Sequence, residues 1–309
     1  MDYILITGGM GFIGSHFVDA CLQHFPRARI YIWDKMTYAA TMRKLPENCT
    51  LIKEDICSKK VRQKLETIPF DCVAHFAAES AVGRSFKNKH VFYKTNVKGT
   101  QNIITLYKHI VAHVNPACKL LHASTDEIYG EILEGTAQEN TKLHPRNPYA
   151  KTKAKAEKRV QKLLRKGYSV FITRCCNTYG PRQHAEKLIA GNIKRLLLGL
   201  PQMIIGKGTA IRQWVYIDDA IQAFMCLLKH KIYGIYNIGT KDFYSVQDVL
   251  HMLASVAQKP YAVAYVEDWK QNDARYAVCA KRIQALGWKP QTTFSQGLQQ
   301  TWNWYKERK

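Results

Sequence analysis

Over its first 175 residues the chain alternates short apolar runs with amphipathic stretches, and this alternation restricts its fold more than any other feature. The runs YILIT (3–7), RIYIW (29–33), TLIK (50–53), CVAHF (72–76), KLLHAS (119–124) and SVFITR (169–174) read as strands. Strands separated by helical stretches are the βαβ signature of a parallel sheet covered on both faces. Between the last two runs lie an irregular stretch, EILEGTAQENTKLHPRNP, and a helix beginning near Tyr149. Past residue 176 the alternation breaks down, Gly and Pro recur more often, and segments such as QMIIG and GIYNIG suggest a smaller α+β lobe. The expected fold class is α/β, a doubly wound parallel sheet over residues 1–176 with a smaller α+β substrate-binding lobe over 177–309. Part of 213–240 is expected to return to the first domain. The site is expected between the two lobes, which no internal repeat or low-complexity linker separates.

Composition narrows the class of function. An apolar content of 46% in 309 residues can bury a substantial core. No run of 18 apolar residues occurs, and YILITGGMGFIG follows only Met1 and Asp2, without a basic leader or a cleavage site. A cytoplasmic protein with no membrane partner is expected. The nine cysteines include no CxxC pair and no His at ligand spacing, so reduced thiols are expected, with no disulfide framework and no metal. The net charge is +22, which predicts attraction to anions. Its densest segment, KTKAKAEKRVQKLLRK (151–166), has eight basic residues and one acid, Glu157. Val160, Leu163 and Leu164 give that segment an apolar stripe, so it reads as a solvated helix face whose field suits an anionic substrate. No zinc-finger, RNP-like or helix-turn-helix signature points to a specific nucleic-acid partner.

Directly after the first strand, TGGMGFIGSH places Gly8, Gly11 and Gly14 at GxxGxxG spacing before the amphipathic stretch SHFVDACLQHF. Glycine is required where a side chain would block a tight turn or the approach of backbone to a pyrophosphate, whose charge then meets a helix N-terminus. A plain strand-turn-helix corner can show the same spacing. Here Asp34 stands twenty residues beyond Gly14 at the end of the second strand, where a carboxylate would accept from ribose hydroxyls and repel a 2'-phosphate. A Rossmann-type domain binding NAD is expected, although the adjacent Lys35 leaves NADP open.

NPYAKTKAK sets Tyr149 and Lys153 four apart, on one face of a helix. A lysine ammonium beside a phenol lowers a tyrosine pKa from about 10, so that phenolate can take a proton from a sugar hydroxyl. HASTDEIYG puts Thr125, Asp126 and Glu127 in succession where the fifth strand ends, at the sheet edge where open α/β folds bind ligands. Adjacent acids there also serve as turn or cap residues. Beside a Tyr/Lys pair and a dinucleotide loop, acid and base roles become the better reading.

At these residues the chain resembles the extended short-chain dehydrogenase/reductases, and within them the nucleotide-sugar 4,6-dehydratases. The resemblance runs nearly end to end, through TGGMGFIGSH, HFAAESAVGRSF, TNVKGT, STDEIYGE, NPYAKTKA, TRCCNTYGP, EKLI, GKGTAIRQWVYIDD, YNIGT, NDARY and LGWKP. STDE is the sharp motif, because related epimerases lack its Asp-Glu pair. The resemblance implies that Gly8, Gly11, Phe12, Ile13, Gly14, Asp34, Asp55, Ile56, Ala77, Ala78, Thr95, Tyr149 and Lys153 contact NAD. It places Ser80, Thr125, Asn177, Lys187, Leu188, Arg212 and Asp273 around the substrate. It also implies a three-stage reaction. Tyr149, tuned by Lys153 and bridged by Thr125, takes the 4-hydroxyl proton as hydride leaves C4; Glu127 takes the C5 proton while Asp126 protonates the departing 6-hydroxyl; hydride then returns to C6.

Where dTDP-glucose enzymes carry an RPGHD-like segment, this chain reads DWKQNDARY, with Trp269 for the arginine and Asn272 for the histidine. That segment is similar to the UDP-glucose 4,6-dehydratases, so UDP-glucose is the expected substrate ahead of dTDP-glucose and of GDP-linked sugars. The rival readings are a dTDP-glucose 4,6-dehydratase, a nucleotide-sugar epimerase and a silent NAD-binding regulator. The resemblance further implies a homodimer in which helices near 97–114 and 149–166 pair across a two-fold axis. The apolar spacing of Ile103, Ile104, Leu106, Tyr107, Ile110 and Val111, opposite Val160, Leu163 and Leu164, motivates that expectation.

Overall fold

The computed structural model describes residues 1–267 and 273–308. Trp269 and Asn272, on which the nucleotide expectation turns, lie outside the described residues. In chain order the strands are β1 (Tyr3–Thr7), β2 (Arg29–Asp34), β3 (Cys49–Lys53), β4 (Cys72–His75), β5 (Lys119–Thr125), β6 (Val170–Cys175), β7 (Asn177–Tyr179), β8 (Gln202–Ile205), β9 (Ile211–Tyr216), β10 (Gly234–Ile238), β11 (Phe243–Ser245) and β12 (Val263–Val266). Seven form one sheet in the order β10-β6-β5-β4-β1-β2-β3. The pairs β1–β2, β2–β3, β1–β4 and β4–β5 are parallel. From β1 the chain builds outward through β2 and β3, then returns to lay β4 on the other side. That reversal is the switch point at whose carboxyl edge open α/β sheets bind ligands. Every residue of β4 and β6 is buried, which is why both read as largely apolar runs, with His75 on β4 and Thr173 and Arg174 on β6 as buried polar exceptions.

By contact the chain forms two compact units. The first comprises Met1–Thr125, Pro148–Arg174 and Phe224–Tyr236; the second takes Asp126–Asn147, Cys175–Ala223 and the described residues from Asn237 onward. The division therefore does not follow a single cut near residue 176. Asp126–Asn147, expected with the first domain, finds its partners in the second unit: Ala137 bridges Val278, and the Ile132 amide donates to the Arg275 carbonyl at 3.0 Å. GIYNIG supplies β10 at the edge of the large sheet. In the second unit β9 pairs antiparallel with β11 and parallel with β7, while β8 and β12 form a parallel pair.

The core of the first unit packs Leu5, Trp33, Val73, Leu120 and Ile172 of the sheet against Ile103, Leu106, Tyr107, Ile110, Val160 and Leu163. Burying each such side chain is worth roughly 1.5–3 kcal/mol. This corrects the argument for a dimer. On helices Thr100–His113 and Pro148–Leu164, the apolar residues invoked for pairing face their own core, with Val111 and Leu164 partly buried against it. These helices expose Lys108, Lys151, Lys155, Lys158 and Lys162, with Gln101, Ala112 and His113. All nine cysteines are free thiols, and no helix among the described residues is long and apolar enough to cross a membrane.

Candidate active site

The turn after β1 is shaped by backbone sterics. Gly8 has φ +69°, and a Cβ there would lie 2.6 Å from the Ala77 amide nitrogen. A Cβ on Gly14 would sit 2.1 Å from the Gly8 carbonyl oxygen, so the following helix, Phe12–His24, can approach the turn only with glycine in place. Gly11 is different: its Cβ would meet a single atom, the Gly8 oxygen at 3.3 Å, so the loop is open beyond it. Gly11 caps the helix without a side chain, and the first turn, which contains Phe12 and Ile13, has no acid. The first amides of that helix therefore remain for a ligand, and an anion there meets the positive end of the helix dipole.

Asp34, the last residue of β2, accepts from the amide of Met10 in this loop at 2.9 Å and from that of Met36 at 2.8 Å. Burial raises its pKa, and these two hydrogen bonds oppose the rise. Asp55 accepts from the Cys57 amide at 2.9 Å and pairs with Lys94 at 2.9 Å and Lys35 at 3.1 Å. Burial alone would raise it, but those partners hold its carboxyl far below the usual range. Lys35 is thereby turned to Asp55, 20 residues on, which weakens the sequence argument for a 2'-phosphate partner. Ile56 is buried beneath Gly99, where a Cβ would stand 2.3 Å from its Cδ1. Ala77, Ala78 and Ser80 follow β4, and Thr95 lies in the π-helical turn Tyr93–Gly99. These features fit a dinucleotide.

Tyr149 and Lys153 occupy the first turns of helix Pro148–Leu164, both buried. The Lys153 ammonium donates to the Ala123 carbonyl at 2.7 Å, which brings it to the end of β5, two residues before Thr125. Burial lowers its pKa from 10.5 to about 8, with Glu157 pulling the other way. One turn onward, Glu157 forms a fully buried pair with Arg174 of β6 at 2.6 Å. It also accepts from Ser124, the residue before Thr125, at 2.6 Å.

In the second unit Asp126 and Glu127 open a short 3-10 turn, Asp126–Tyr129. Glu127 accepts from the Asn147 amide group at 2.8 Å. Its pKa is raised by burial, with Asn147, Lys187 and Arg212 opposing and Asp273 adding to the rise. Burial depresses Lys187, against the pull of Glu186 and Glu127. Arg212 lies over the Tyr276 ring at 4.4 Å, and the Tyr276 hydroxyl donates to Asp273 at 2.7 Å. Arg146 bridges Asp273 and Glu131. Thus four residues expected around the substrate or its chemistry, Glu127, Lys187, Arg212 and Asp273, share one electrostatic cluster. Asn177 stands on β7, paired with Trp214, and Leu188 begins helix Leu188–Leu197. Sequence reasoning passed over Asn147, Arg146 and Tyr276. The first two stand just ahead of Tyr149 and the third closes NDARY, so the motifs contained them without revealing their partners.

The family model described as GDP-mannose 4,6 dehydratase matches residues 5–301. The chain belongs to this 4,6-dehydratase family. Among individual family members, it is 37% identical to the dTDP-glucose 4,6-dehydratase of Haemophilus influenzae, over 99% of this chain and 98% of that protein. It is 35% identical to a trifunctional Arabidopsis thaliana protein named for UDP-glucose 4,6-dehydratase and two further activities, over 98% of this chain and 47% of that protein. The crystal structure of DesIV (dTDP-glucose 4,6-dehydratase) from Streptomyces venezuelae, with NAD bound, superposes with a TM-score of 0.91 at 34% identity, over 99% of this chain and 97% of the other. Its likeness extends to the Rossmann-type sheet of the first unit.

Proposed function

We propose that this dehydratase-family chain removes water from a pyrimidine nucleoside diphosphate glucose, UDP-glucose ahead of dTDP-glucose, to give the 4-keto-6-deoxy sugar nucleotide. It is an NAD-dependent lyase. In this reading Gly8, Gly11, Phe12, Ile13, Gly14, Asp34, Asp55, Ile56, Ala77, Ala78 and Thr95 hold the cofactor. Ser80, Asn177, Lys187, Leu188, Arg212 and Asp273 hold the sugar nucleotide. NAD, when bound, accepts a hydride from the sugar and later gives it back.

The observation that carries the reading is the environment of Glu127. A 4-keto group acidifies the C5 hydrogen, and a base that removes it works best with a raised proton affinity. Burial supplies that rise at Glu127, while Asn147 holds the carboxylate in one orientation. Tyr149 takes the 4-hydroxyl proton, and Thr125 hydrogen-bonds the same oxygen. The Lys153 ammonium, held at the end of β5, favours the tyrosinate by its charge. Asp126 gives a proton to the departing 6-hydroxyl, and Glu127 returns its proton to C5. An epimerase needs only the Tyr and Lys pair, so the consecutive Asp126 and Glu127 favour elimination.

A second reading, dTDP-glucose as the preferred substrate, is favoured by the names of the Haemophilus and Streptomyces relatives. The two substrates differ by a ring methyl, worth roughly 1–3 kcal/mol, and by a ribose hydroxyl that a matched polar site can select more strongly. The test is kcat/KM for UDP-, dTDP- and GDP-glucose, with product followed by mass as loss of one water. Loss of water from any of them supports the dehydratase. A clear preference for dTDP-glucose transfers the assignment to the second reading, and an isomer of unchanged mass would refute both.

A further inference from the structure

Beneath the dinucleotide loop, a run of buried polar side chains crosses the interior of the first unit. Thr7, the last residue of β1, accepts from the Ala77 amide at 3.3 Å, and its hydroxyl lies 2.6 Å from Nδ1 of His75. Nε2 of His75 lies 2.9 Å from the Thr100 hydroxyl. That hydroxyl donates its one proton to the Asn96 carbonyl at 2.6 Å, so from His75 it can only accept. Proton directions follow along the whole run. His75 carries its hydrogen on Nε2, and its Nδ1 accepts from Thr7. Asn96 continues the connection: its amide group donates to the Thr152 hydroxyl at 2.9 Å and to the Glu79 carbonyl at 3.0 Å, and its oxygen accepts from the Glu79 amide at 2.8 Å. The Thr152 hydroxyl donates to the carbonyl of Tyr149 at 2.7 Å.

Thr7, His75, Asn96, Thr100 and Thr152 are all buried. His122 lies beside His75 with ring centroids 5.3 Å apart, yet neither of its nitrogens has a hydrogen-bond partner among the described residues, so it does not compete for His75. Burial, reinforced by the charge of Lys153, holds His75 down to about 3 and keeps it neutral. A neutral ring can give one hydrogen bond and receive one, as this run requires; a charged ring could only give.

We propose that His75 and Thr100 are positioning residues for the reaction, a strut with fixed proton directions that sets the first turn of the Tyr149 helix relative to the loop containing Gly8 and Ala77. This rests on the assignment of Tyr149 as the base. Displacing a reacting group by about 1 Å can cost roughly a hundredfold in rate, so a strut of this kind is read in kcat more than in binding.

The discriminating variants are Thr100→Val, which keeps shape and loses the hydroxyl, Thr100→Ser, which keeps the hydroxyl, and His75→Gln. Thr100→Val is expected to lower kcat by roughly tenfold to a hundredfold while KM for the sugar nucleotide changes by less than about threefold. Thr100→Ser should restore most of that rate, and His75→Gln should lose as much as Thr100→Val. Melting temperature and NAD retained through gel filtration are measured on each. Equal kcat in Thr100→Val and wild type would overturn the inference. So would a fall in kcat that follows melting temperature across all three variants with no rescue by serine, since that marks general loosening. Failure of the underlying assignment shows itself separately, as turnover that survives Tyr149→Phe in the otherwise unchanged protein, and it removes the inference too.

Discussion

Glu157→Gln tests how the helix that contains Tyr149 is held to the sheet. Glu157 is fully buried and Arg174 is 2% exposed, and the acid accepts from Arg174 Nη2 at 2.6 Å, Arg174 Nε at 3.1 Å, Ser124 at 2.6 Å and Gln161 at 2.8 Å. Glutamine keeps the shape but removes the charge, so the buried guanidinium loses the Glu157 counter-charge. Breaking a buried pair from one side costs about 3–5 kcal/mol. For a folded unit of roughly 150–250 residues each kcal/mol corresponds to roughly 2–4 °C, so the transition should fall by on the order of 10 °C. Replacing both members, Glu157→Leu with Arg174→Met, should recover most of that loss, because the uncompensated charge goes with the pair. The assay is thermal unfolding by circular dichroism and calorimetry, analysed as a double-mutant cycle. A shift below about 2 °C for Glu157→Gln, or a double variant that loses the sum of both singles, would show that the pair is not what pins this helix. The same substitution carries a kinetic signature. Glu157 raises Lys153 against burial, so its neutralisation should move loss of the Lys153 charge to lower pH.

Three further outcomes are expected. Glu127→Gln should permit oxidation but block removal of the C5 proton, so absorbance of reduced cofactor accumulates on the enzyme; dehydration at the wild-type rate would show that Glu127 is not the base. Lys153 has a folded pKa lowered from 10.5 to about 8, so below pH 8 the fold bears the full penalty of burying its charge and stability rises between about 8 and 10.5, while activity that needs the ammonium falls above about 8; melting temperature against pH for wild type and Lys153→Met, with the pH profile of kcat/KM, checks both signs. A homodimer is still proposed, now through the outer faces of helices Thr100–His113 and Pro148–Leu164, and because these expose lysines its association should strengthen from low to moderate salt as repulsion is screened; a monomer mass by light scattering across that range would exclude it.

Much of the first unit was legible because local physics forces it. β4 and β6 read as strands because a strand buried on both faces must be mostly apolar. The glycine loop was legible because no side chain fits at Gly8 or Gly14. Asp126–Asn147 was not: its hydrogen bonds run to residues near 275, a separation of 143 for Ile132 and Arg275, and no local pattern encodes a partner that distant. The apolar stripe on Thr100–His113 showed a covered face without showing what covers it, and core and partner surface have the same period.

The polar interior is the instructive case. Thr7, His75 and Thr100 interrupt apolar segments, and from sequence each looks like a tolerated exception. A buried hydroxyl or imidazole left unpaired costs about 1–3 kcal/mol, so each exception demands a partner, and here the partners are one another. Such residues cannot drift singly: Thr7→Val strands a nitrogen of His75, and His75→Leu strands the proton of the Thr7 hydroxyl and an acceptor site on that of Thr100. Candidate catalytic groups are easy to name in a sequence because motifs mark them, whereas the geometry proposed to position them lies in these mutual requirements between strands β1 and β4, the turn at Tyr93–Gly99 and the start of helix Thr100–His113. That geometry becomes visible only when the hydrogen bonds are traced from donor to acceptor.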